Sequence, residues 1–141
     1  MATIVQTIEQ KRSAKAYFLV QEVAKKDAAV QEKYKTCAKN FPSMVLTNGL
    51  LQSLSFLLSK KADEEKGYSL VAEHVRTWIE TAINDGLLNK PEQSYSVSSV
   101  GEMIRWLSSL DVRNYLTATH EVISFTPWLK RFAQGLLYSP S

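Results

Sequence analysis

Cysteine is almost absent from this chain, and its one representative, Cys37, can form no intramolecular disulfide. A lone cysteine without a CxxC partner fits a reducing compartment, so the sequence points to the cytoplasm. Cys37 itself reads as a small buried apolar residue rather than a nucleophile. Histidine is nearly as scarce. His74 and His120 fall in separate segments, and neither has a partner at HExxH spacing, so no histidine-based metal site is expected. Neither a GxxxxGK[ST] nor a GxGxxG loop occurs, which removes the two commonest phosphate cradles. No basic-then-apolar leader opens the chain, since Met1–Glu9 is mixed in character. The longest apolar run, Pro42–Lys61, is too interrupted to serve as a membrane span of about 20 residues. Five glycines and four prolines form no linker tract, and no internal repeat appears. No cofactor, metal or membrane partner is expected.

What remains is helical patterning. An apolar content of 45% with 22% charge suits a globular core, and 141 residues suit one domain. No run of four to eight residues reads as a strand. The expected fold is all-α, a compact single-domain bundle of about five to seven helices over residues 1–141. A first helix is predicted from Thr3 to Lys26, and Asp27 can cap a continuation through Asn40, where Pro42 should stop it. The run Pro42–Lys61 then forms a central helix. Its polar residues Asn48, Gln52, Ser55 and Ser59 recur at helical steps and would share one face. Gly67 opens a helix that Gly86 ends, Ser98 or Ser99 caps a short helix to Leu110, and Asp111 caps a last one to about Leu137.

Charge is unevenly distributed. Residues 1–40 carry eight Lys/Arg against four acids, whereas the remainder carries nine against ten, so the N-terminal part is +4 and the rest −1. Three clusters stand out: Lys11, Arg12 and Lys15; Lys60 and Lys61; and Lys130 and Arg131 beside Trp128. Each can neutralise phosphates, though lysine is equally at home on a solvated helix face. Asn48 and Gln52 can meet a nucleic acid or a neighbouring subunit, or satisfy buried polar groups. Trp106, beside Arg105, is a candidate for a protein interface. Trp78, Trp128, Phe125 and Phe132 read better as core than as base-stacking platforms.

Two stretches carry a more specific signal. Asn48, Gly49, Leu50, Gln52, Phe56, Leu57, Ser59 and Lys60 form one; Tyr115, Thr119, Glu121, Phe125 and Trp128–Ala133 form the other, with Tyr68, His74 and Trp78 between them. Their order and spacing over roughly residues 8–137 resemble the small all-helical subunit of the Cmr (type III-B) CRISPR effector complex. The resemblance implies a non-catalytic subunit of an RNA-guided antiviral ribonucleoprotein. It also implies neighbouring copies of the chain in an inner filament, other Cmr subunits as partners, and a guide–target RNA duplex nearby. Two rivals arise from the residues alone. One is a helical protein-interaction adaptor that binds no nucleic acid. The other is a small hydrolase using Asp63, Glu64 or Glu73, for which no convergent acid, base and electrophile can be assembled.

Overall fold

The structure, a computed structural model, describes residues 6–60, 62 and 65–138. Among the described residues six helices form a compact all-α bundle: α1 (Ile8–Val23), α2 (Ala28–Asn48), α3 (Leu50–Leu58), α4 (Lys66–Asn84), α5 (Val100–Ser109) and α6 (Val112–Leu136). Among the described residues there is no strand, and no helix is long and apolar enough to cross a membrane.

Short side chains set most helix starts. The Asp27, Ser99 and Asp111 side chains accept from the backbone N–H groups of Val30, Glu102 and Asn114, as their positions in sequence foretell. At α1 the cap is Thr7. Its hydroxyl accepts from Gln10 N while its own N–H donates to Gln10 Oε1, a reciprocal pair that satisfies two orphan donors. The helix therefore starts at Ile8, later than the predicted start at Thr3, a residue that lies outside the described ones. It also ends at Val23 instead of Lys26.

Two expectations fail around the apolar run. Pro42 does not stop α2 but sits inside it. A helical proline costs about 3 kcal/mol, and here it stands between Phe41 and Val45, both buried. Burial of such side chains contributes about 1.5–3 kcal/mol each, enough to offset the proline. The break comes instead at Gly49, whose φ of 89° is one that favours glycine. The run Pro42–Lys61 is thus the end of α2 and a separate α3, and Asn48 does not share a helix face with Gln52, Ser55 and Ser59.

Helices α1, α2, α4 and α6 enclose the core. Trp78 of α4 stacks on Phe125 of α6 with ring centroids 4.9 Å apart, beside buried Tyr34, Phe41, Ile79 and Leu129. Helix α2 runs antiparallel to α6. Near one end Gln31 Oε1 accepts from Tyr138 N at 2.7 Å, and near the other Leu51 N donates to Tyr115 Oη at 3.1 Å. The Gln31 amide also donates to the carbonyls of Ala24 and Lys26, tying the α1–α2 turn to the end of α6. Helix α4 enters against α2 at Gly67, where a Cβ would lie 2.7 Å from the Lys33 carbonyl carbon and against Tyr34 N.

His74 is buried in α4 and meets the Tyr34 hydroxyl through Nδ1 at 2.7 Å. It is a packing histidine. Burial lowers its pKa to about 4 from 6.5, so the folded protein takes up its proton later than the unfolded chain does. The stability this confers is complete above about pH 6.5 and is lost as pH falls toward 4, by about 3 kcal/mol in total. Urea unfolding at pH 7 and pH 4 should register that loss, and His74→Gln should lose much less between the two. Parallel losses in both proteins would clear His74 of the role.

Candidate nucleic-acid interface

To meet a phosphate without first breaking a strong internal contact, a basic side chain must not be held tightly inside the fold. Arg12 fails that condition. Its guanidinium donates to both carboxylate oxygens of Glu121, from Nε at 2.9 Å and Nη2 at 3.0 Å, and the Trp78 indole N–H donates to the same carboxylate at 2.9 Å. This junction ties α1, α4 and α6 together and is largely shielded from solvent. Lys11 pairs with Asp85 at 3.6 Å. Lys60 pairs with Glu65 at 3.3 Å and sits over the rings of Phe56 and Tyr68. Lys61 lies outside the described residues.

Lys15, Lys130 and Arg131 make no ion pair with any described residue, and Arg131 is exposed. Lys130 and Arg131 diverge by about 100° around α6, so the adjacent pair serves two faces. Asn48 and Gln52 are exposed. Trp106 is 3% exposed, so its ring is part of the core.

Six further cations make no ion pair with a described residue: Lys26, Lys33, Lys35, Lys39, Lys90 and Arg113. Of these, Lys35 and Lys39 stand one turn apart on α2. Because α4 crosses α2 at Lys33–Tyr34, they fall on the flank turned toward α6. Counting eight residues from the Gln31–Tyr138 bond along each antiparallel helix brings Lys39 and Lys130 to about the same level. Lys35, Lys39 and Lys130 therefore border the α2–α6 seam, with Arg131 turned further outward. A helical wheel of α2 would mark Lys35 and Lys39, but only the α2–α6 pairing brings them beside Lys130.

Glu73 is held by Arg76, which also reaches Glu80 and the Val97 carbonyl. Asp63 and Glu64 lie outside the described residues. Burial pushes the Cys37 thiol up to about 12, leaving it protonated at neutral pH. Among the described residues no three His, Cys, Asp or Glu side chains converge as metal ligands.

Comparison with known proteins gives a consistent result. The family model described as CRISPR-associated protein (Cas_Cmr5) matches residues 8–136. A curated relative from Thermus thermophilus, named CRISPR system Cmr subunit Cmr5, is 27% identical over 133 residues, covering 94% of this chain and 98% of its own length. A protein of the same name from Thermotoga maritima is 27% identical over 134 residues, covering 94% of this chain and 87% of its own. The crystal structure of a CRISPR-associated Cmr5 family protein from Thermus thermophilus superposes with a TM-score of 0.74 at 25% identity, over 94% of this chain and all of that one. The six-helix bundle and a match across nearly its whole length agree: the chain belongs to the Cmr5 family of CRISPR-associated proteins.

Proposed function

We propose that this chain acts in the cytoplasm as a non-catalytic subunit of a type III-B Cmr ribonucleoprotein, one helical domain of residues 1–141 that helps hold the guide–target RNA. In this reading its partners are the other Cmr subunits, the guide and target RNAs, and neighbouring copies of itself in an inner filament. The observation that carries it is the set of unpaired cations along the α2–α6 seam, Lys35, Lys39 and Lys130, with Arg131 on the next face of α6. Sequence-independent retention of a duplex needs cations of this kind, because it works by displacing condensed counterions from phosphates. Lys15 is the one member of the N-terminal cluster that keeps the same freedom. Arg12 is committed to Glu121 and drops out.

The test is charge reversal inside the assembled complex. Lys130→Glu with Arg131→Glu should weaken target RNA retention and flatten its salt dependence by about one unit of log–log slope for each phosphate no longer neutralised. Lys39→Glu should add to the effect. Unchanged retention and slope in a folded variant would remove these residues from the RNA path. Retention of partner proteins that survives nuclease treatment, with no RNA bound at all, would favour a protein adaptor.

A further inference from the structure

On the other flank of α6, away from the lysines, α1 and α6 part to leave an open groove of about 500 Å³. Its apolar wall is aromatic. Tyr17 meets Phe132 edge-on, with centroids 5.4 Å apart and planes at 89°, and Trp128 lies 5.9 Å from Phe132 at 29°. Tyr17 remains 42% exposed, so its ring is not spent on the core. The remaining wall is polar and includes Gln6, Ser13 and Glu9. Among the described residues that line the groove Glu9 alone is charged, and it makes no ion pair with any described residue.

We propose that this groove receives an arginine or lysine side chain presented by a different protein subunit. Ring faces carry negative electrostatic potential and attract cations, and an unpaired carboxylate at the same site adds to that field. A nucleobase could stack on the same rings, but its phosphates would meet Glu9 and find no cation in the lining. The proposal rests on the reading given above, in which Lys15, Lys35, Lys39, Lys130 and Arg131 are the cations that face phosphates, and it assigns the inserted cation to another polypeptide.

The full-length chain, labelled with ¹⁵N, can be titrated with N-acetyl-arginine-N-methylamide, with the matching glutamate compound and with uridine monophosphate. The expected result is saturable shifts at the Trp128 indole and the Ser13 amide with the arginine probe alone. Tyr17→Ala and Glu9→Gln should each weaken that binding by about three- to tenfold. Glu9 is exposed, so Glu9→Gln keeps the test sound should Tyr17→Ala disturb the fold. No saturable shift, equal shifts with the glutamate compound, preference for the nucleotide, or indifference to Glu9→Gln would each overturn the proposal. Shifts of the same signals with protein concentration alone would seat a second copy in the groove and overturn the assigned source. None of these side chains belongs to the α2–α6 seam, so failure here leaves the RNA assignment standing on its own test.

Discussion

Gly67→Ala should cost this protein about 3 kcal/mol or more, a large part of the total stability of a small domain. The added methyl would lie 2.7 Å from both the carbonyl carbon and Cβ of Lys33 and would press on Tyr34 N. Two of these three atoms are backbone inside α2, so no side-chain rotation relieves the clash. Either α4 withdraws from α2 or the first turn of α4 unwinds. Both disturb the Tyr34–His74 contact, which joins the same two helices at 2.7 Å. Gly135→Ala provides the control. Gly135 also lies within a helix, but nothing approaches its missing Cβ within 4 Å, and alanine there should stabilise by roughly 1 kcal/mol through helix propensity. Urea denaturation of the two variants should move the midpoint in opposite directions. A Gly67→Ala midpoint at or above the parent's would mean that the helices do not approach so closely.

Glu121→Ala should be damaging to a similar degree, at about 3–5 kcal/mol. The carboxylate accepts three hydrogen bonds, two from Arg12 and one from the Trp78 indole, and its loss strands a guanidinium and an N–H in a poorly solvated place. Most of the cost is the unpaired charge left behind, so Glu121→Gln should lie between alanine and the parent. Denaturation midpoints would decide the matter, and a cost below about 1 kcal/mol would place the junction among solvated surface pairs. Arg12→Glu should likewise lower stability, without the reduced salt slope expected of Lys130→Glu. That contrast separates a structural cation from an RNA-facing one.

These two predictions also mark where sequence reading stops. Caps are local, and Asp27, Ser99, Asp111 and Gly86 are legible because each acts within a few residues of itself. Pro42 misleads because the local rule is correct but weaker than the burial of Phe41 and Val45, which depends on helices far along the chain. Gly49 is hidden by the apolar residues around it, which suit one helix or two equally well. For the basic clusters the difficulty is sharper. Arg12 and Glu121 are 109 positions apart, and nothing in either neighbourhood reports that they meet. Counting charges finds every cation but cannot tell the occupied from the free. Lys11 and Lys60 look as available in sequence as Lys130, yet each holds an acidic partner in the fold.

The bond between Gln31 and Tyr138 bears on how the chain is made. Helix α1 packs chiefly on α6, and α2 on both α4 and α6, so part of the apolar surface around Val20 waits uncovered until α6 has been made. Such long-range closure is slow and leaves sticky surface exposed in the meantime. The nascent protein thus passes through a vulnerable interval that lasts until α6 docks, and early handover to a chaperone or to a waiting assembly partner would shorten it.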